Sequence, residues 1–228
     1  MTRYSERLRL SQENEFLEEE EKKRKRMWLP TMPPDGCFAE GTPILLANGE
    51  IKNVETLTIY DSKTQEGDRV MTLGGTSATV VDLIHGPEKL PMVNLTVQAY
   101  DGDDYREITV SVTEQHPVLV RYNYLVQANL IEINEKVHTL WGPGIVKKVE
   151  RATTEKDVWN FVLGSEQFLQ ESIYGETALR HAFSANSLLG LPAKNHIVFS
   201  NGVALATWTL QTQLVALLKN GININQFS

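Results

Sequence analysis

From Ile44 to Ala206 the chain seldom carries an apolar, β-branched run beyond a few residues before a turn residue stops it. Ile44-Leu45-Leu46 is followed by Asn48-Gly49, a tight-turn dipeptide, and Ile51 resumes the strand. Gly67-Asp68-Arg69-Val70-Met71 leads to Gly74-Gly75. Strand-like stretches follow at Ala78 to Ile84, Val93 to Val97, Ile108 to Val112 and Pro117 to Val120. Lys136 to Leu140, Gly144 to Val149 and Val158 to Leu163 continue the series. An α/β fold needs helices between its strands, and this stretch lacks them. The pattern predicts an all-β fold, a sandwich or barrel-like arrangement of short antiparallel strands.

Two segments depart from that texture. Between Glu166 and Lys194, Phe168, Leu169, Ile173, Ala178, Leu179 and Phe183 are loosely helix-spaced, which predicts a small helical insertion. Strands resume at His196 to Phe199 and Val203 to Ala206, joined by a hairpin turn at Asn201-Gly202. Leu210, Leu214, Val215, Leu217 and Leu218 then predict a short C-terminal helix ending before Gly221. The expected organisation is an arm over 1–36, a main domain over 37–207 with its insertion at about 166–194, and a C-terminal helix and tail over 208–228.

The arm has its own logic. Ser5 to Arg26 contains neither proline nor glycine, and Glu18, Glu19 and Glu21 precede Lys22, Lys23 and Lys25 by four residues. In a helix these acid-first pairs are each worth about 0.3–0.5 kcal/mol. Apolar residues are too sparse for a continuous stripe, so a charged helix, solvated or bound to an assembly partner, is expected. A nuclear-targeting or polyanion-binding role for Lys22 to Arg26 is the weaker alternative. Pro30, Pro33, Pro34, Asp35 and Gly36 end the helix and make a linker. The arm's eight basic and eight acidic residues cancel, so the net charge of −7 belongs to residues 37–228. An acidic main domain argues against nucleic acid as its partner. At 228 residues, with 41% hydrophobic and 22% charged residues, the chain has the composition of a globular protein with a proper core. No apolar run reaches the about 20 residues of a membrane span. The polar N-terminus does not read as a signal peptide, so a cytoplasmic setting or a place in a larger assembly is expected.

Cys37 is the only cysteine, so it cannot form an intramolecular disulfide; its value lies in packing or in its sulfur as a nucleophile. It follows Gly36 and opens Cys37-Phe38-Ala39-Glu40-Gly41-Thr42-Pro43-Ile44. Its sulfur can reach the carbonyl of Gly36 through a five-membered ring, giving an N–S acyl shift that leaves Gly36 as a thioester. The attacking form is the thiolate, and the departing amide nitrogen must gain a proton. His116, in Thr113-Glu114-Gln115-His116-Pro117, is of the right type to move that proton, and Thr113 to hydrogen-bond the peptide or its oxyanion. His196 is a further candidate in Asn195-His196-Ile197-Val198-Phe199. His138 and His181 read as ordinary residues, and Asp101, Asp103 and Asp104 beside Gly102 as a solvated hairpin tip. No metal site or cofactor is expected.

In their order and spacing these segments resemble the Hint family, the self-processing domain of inteins and of hedgehog-protein C-terminal halves. The resemblance runs from about Cys37 to Thr207. It includes Gly41-Thr42, Val54-Glu55, Gly67-Asp68-Arg69-Val70, Thr113-x-x-His116-Pro117-Val118-Leu119, Val158-Trp159-Asn160-Phe161 and His196 to Val203. It implies a horseshoe of curved antiparallel strands and autocatalytic cleavage at Gly36–Cys37, the chain's own N-terminal segment being the substrate. Catalysis would fall to Cys37, Thr113, His116 and His196, the last either assisting or only orienting the hairpin.

Three departures narrow that implication. Inteins commonly end in His-Asn before Cys, Ser or Thr, and here those two places hold Ala206 and Thr207. Without the cyclising asparagine, splicing and downstream cleavage are not expected. The family's usual aspartate in the penultimate strand segment is Asn160, which removes a charge near the thiol. The acid that hedgehog proteins use to activate a sterol falls at His85, giving no support for sterol transfer. The alternative to self-cleavage is a Hint fold kept as a structural or binding module in a larger assembly.

Overall fold

A computed structural model describes residues 36–88, 91–102, 104–121, 124–164 and 195–212. The charged arm, the expected insertion, His181, Asp103 and the tail from 213 onward lie outside the described residues. Fourteen strands are described: β1 (Phe38–Ala39), β2 (Pro43–Leu45), β3 (Ile51–Asn53), β4 (Arg69–Met71), β5 (Ser77–Pro87), β6 (Met92–Asp101) and β7 (Asp104–Thr113). They continue with β8 (Pro117–Val120), β9 (Tyr124–Gln127), β10 (Lys136–Thr139), β11 (Gly142–Ala152), β12 (Asp157–Gly164), β13 (Ile197–Ser200) and β14 (Val203–Ala206). Single turns of 3₁₀ helix cover Val54–Thr56 and Ala128–Leu130, and residues 208–212 are helical.

The strands make one antiparallel sheet in the order β3-β2-β13-β14-β8-β10-β11-β6-β7-β1-β12-β5-β4, with β9 beside β8. Single bridges from Leu46 to Val70 and from Thr72 to Val198 bring β4 back against β2 and β13, so the far end of the sheet folds over its beginning. The register shifts between Val146 and Lys148 and between Val162 and Leu163, and such bulges bend the strands that carry them. Alternation supplies the core. Val93, Leu95 and Val97 of β6 face Val112, Val110 and Ile108 of β7, all nine-tenths or more buried. Burying a side chain of this size contributes about 1.5–3 kcal/mol.

Four strands are longer than expected: β5, β6, β7 and β11 run 10 or 11 residues. The sequence suggests two short strands over 93–97 and 108–112, and the residues beyond them, Tyr100, Tyr105 and Arg106, are exposed. Backbone pairing nevertheless continues outward to Asp101 opposite Asp104, across a turn in which Gly102 takes φ +68°. Arg106 pairs with Asp101 at that tip. The Asn201-Gly202 turn is as expected: both residues have positive φ (44° and 82°), the geometry of a two-residue hairpin whose twist matches its strands.

Candidate active site at the Gly36–Cys37 peptide

The site begins with the two residues of β1. Phe38 sits opposite Val112 of β7 and Trp159 of β12, so the chain entering the domain is wedged between two longer strands. Its ring is fully buried, stacked on Phe161 at 5.7 Å and tilted against the His116 imidazole at 4.5 Å. That packing fixes the peptide just before it. Cys37, half-buried, donates its backbone N–H to the Thr113 hydroxyl oxygen at 2.9 Å, and its carbonyl accepts from the Thr113 N–H at 2.9 Å.

The Thr-x-x-His spacing now has a physical reason. The N–H of His116 donates to the Thr113 carbonyl at 3.0 Å, closing a turn over Thr113 to His116. The turn lets Thr113 hold Cys37 while the imidazole folds back onto Phe38. His116 is entirely buried, and its ring lies against the backbone of Cys37 and of Ala206 without reaching full hydrogen-bond geometry. Burial lowers its pKa to about 3, the backbone at Cys37 and then at Ala206 pulling the other way, as carbonyl acceptors do. The ring is neutral at ordinary pH.

Two side-chain amides close on the Gly36 carbonyl. The oxygen of Asn160 accepts from the N–H groups of Phe161 (2.8 Å) and Trp208 (3.0 Å), which fixes the orientation of the amide and turns Nδ2 to donate to the Gly36 oxygen. Gln211 grips the same residue twice: Oε1 accepts the Gly36 N–H at 3.2 Å, and Nε2 donates to the Gly36 oxygen at 3.0 Å. Nε2 also lies 3.3 Å from the Ala206 oxygen, so one nitrogen touches both the residue before Cys37 and the end of β14. A Cβ on Gly36 would lie 2.6 Å from Gln211 Oε1 and 2.8 Å from Pro117 Cδ, so only glycine fits there without displacement.

The structure thus brings together Gly36, Cys37, Thr113 and His116. His196 stands at the start of β13, 6% exposed, with its carbonyl accepting from the N–H and the hydroxyl of Thr207, both at 3.0 Å. Burial lowers its pKa to about 4. It braces the end of β14 while Thr113, Asn160 and Gln211 hold the Gly36–Cys37 peptide. Ala206 and Thr207 are fully buried, and the chain runs through them into helical residues 208–212. His85 stacks on Trp159 at 4.5 Å with Nδ1 3.1 Å from Asp157. Among the described residues, no group of three or more His, Cys, Asp or Glu could hold a metal ion.

Sequence reasoning missed two contributors. Asn160 was legible only as a lost charge, although a buried amide inside Val158-Trp159-Asn160-Phe161 must have its hydrogen bonds met from somewhere. Gln211 lies 175 positions from Gly36, and no local pattern links them.

The family model described as "Hom_end-associated Hint" matches residues 37–169, more than half of the chain. No curated protein matches the sequence significantly. Among solved structures, the chain is similar to the gp41-1 intein (11% identity, 75% of this chain and 98% of that one, TM-score 0.49). It is also similar to a bacterial intein-like domain from Clostridium thermocellum (18%, 75% and 98%, TM-score 0.49). A third is a DnaB intein from Synechocystis sp. PCC 6803 (12%, 76% and 99%, TM-score 0.46).

Proposed function

We propose, from the premise that the chain belongs to the Hom_end-associated Hint family of self-processing domains, that it cuts its own backbone once, between Gly36 and Cys37, and does not splice. The observation that carries this reading is the grip on one peptide bond: Thr113 holds its nitrogen while a fixed Asn160 amide donates to its carbonyl oxygen. A hydrogen bond aimed where negative charge will develop is what acyl transfer requires.

The Cys37 thiol passes its proton to His116 only as the sulfur attacks the Gly36 carbonyl carbon, because a buried ring with a pKa of about 3 does not take it beforehand. The oxyanion forms against Asn160 Nδ2. As the C–N bond breaks, His116 returns the proton to the nitrogen of Cys37, leaving a free amine and a Gly36 thioester. A ring whose charged form is disfavoured by burial hands its proton on readily. Water then hydrolyses the thioester, freeing residues 1–36 and regenerating the thiol. Ala206 and Thr207 offer no asparagine to cyclise, which supports a single cut.

Hydroxylamine and dithiothreitol attack thioesters far faster than amides, so each should accelerate cleavage of the parent, and Cys37→Ala should abolish the response. Cleavage that persists in Cys37→Ala would refute the thioester. A parent that stays whole in hydroxylamine would favour the alternative, a Hint fold serving as a structural or binding module.

A further inference from the structure

We infer that Gln211 is a catalytic residue: its side-chain amide supplies the second oxyanion donor and, together with Pro117, leaves room only for glycine before Cys37. This inference rests on the proposed cleavage and extends it to a residue beyond β14. Three observations converge on Gln211. It is entirely buried, so its amide must be satisfied inside the protein. Both ends of that amide are spent on Gly36, the oxygen on its N–H and the nitrogen on the carbonyl that would carry the negative charge. The closest atom to a Cβ built on Gly36 is Gln211 Oε1 at 2.6 Å.

Placement is fixed by the residues around it. The Gln211 N–H donates to the Thr207 carbonyl at 3.1 Å, forming a helical turn. Trp208 N–H is tied to Asn160, and the Thr209 hydroxyl donates to the Leu163 carbonyl (3.4 Å) while accepting from the Leu163 N–H (2.7 Å). The turn is therefore docked on β12, and one network orients both donors. As the Gly36 carbonyl carbon becomes tetrahedral, its oxygen turns from a neutral acceptor into an anion. Hydrogen bonds to charged groups are about twice as strong as neutral ones, so both donors gain strength in the transition state. Cleavage before Cys37 consequently waits until the chain through Gln211 has been made and has docked.

The test compares cleavage rates of the full chain, Gln211→Met and Gln211→Glu across pH, with hydroxylamine present in every reaction. Gln211→Met keeps most of the volume and lacks the donor; it should cleave about 10²-fold more slowly. Gln211→Glu should be slowed at pH 8, where an ionised carboxyl faces the carbonyl oxygen. Its rate relative to the parent should rise as the pH falls, because a protonated carboxyl can donate the missing hydrogen bond. Rates are compared per folded molecule at each pH, read by circular dichroism, so a carboxylate that merely destabilises the fold at pH 8 would not produce that relative recovery. A parent that cleaves while folded Gln211→Met keeps pace, or a Glu-to-parent ratio that is flat with pH, would overturn the role of Gln211 alone. A parent that never cleaves would overturn the underlying reading and this inference together.

Discussion

Acidifying the protein should expose the burial of His116 directly. In the fold its pKa is lowered to about 3, and that of His196 to about 4, in both cases chiefly by desolvation. In the unfolded chain both titrate at about 6.5. Between the folded and unfolded values the unfolded state binds protons that the native state refuses, so stability falls as the pH falls. The contribution is complete above about pH 6.5 and is lost down to about pH 3 for His116 and about pH 4 for His196. One pH unit corresponds to about 1.4 kcal/mol, so going from about pH 7.5 to about pH 4.5 should cost about 3 kcal/mol for each ring. The assay is urea unfolding at the two pH values in a Cys37→Ala background, which keeps the chain uniform. Carboxylates shift the absolute values but are shared with a His116→Gln partner, so the quantity to compare is the loss between the two pH values. That loss should be about 3 kcal/mol smaller in His116→Gln. Equal losses would mean that His116 takes up a proton in the fold as easily as out of it, and the buried, neutral ring would be refuted.

The remaining predictions concern rate and packing. Folded His116→Gln should cleave about 10²-fold or more slowly, the scale of general acid catalysis, since it cannot carry the proton; a parent-like rate would reduce His116 to a packing residue. Thr113→Val removes one hydrogen-bond partner of Cys37 and should lose only about tenfold in a gel-based cleavage assay; a larger loss than that of His116→Gln would reverse their assigned weights. Gly202 has φ +82° and would place a Cβ 2.5 Å from the Trp141 ring. Gly202→Ala should therefore lower stability by about 1–3 kcal/mol, read from the urea midpoint; an unchanged midpoint would contradict the packed hairpin.

How far the sequence reaches depends on whether a feature is local. Asn201-Gly202 is readable because two adjacent residues determine a left-handed turn, and the same is true of the strand pairs that alternate Val93, Leu95 and Val97 against Val112, Val110 and Ile108. The outer half of the β6–β7 hairpin is not, because exposed Tyr100, Tyr105 and Arg106 pair through backbone groups common to every residue. The grouping of Gly36, Cys37, Thr113 and His116 is legible through the resemblance, and the turn that closes Thr113 on His116 explains their spacing. Asn160 is visible as an amide where a carboxylate was expected, but its role as a donor depends on two N–H groups turning its oxygen away, one of them from Trp208. Gln211 depends wholly on tertiary contact: a polar residue beside Leu210 looks like the wet side of a helix until Gly36 is found against it.

The most direct measurement is the intact mass of the freshly purified full chain, followed over time with and without hydroxylamine. The account predicts two products, residues 1–36 and a fragment that begins at Cys37 and runs to Ser228, formed faster with hydroxylamine and absent in Cys37→Ala. A chain that stays whole under both conditions, or a fragment that ends near Ala206, would contradict it.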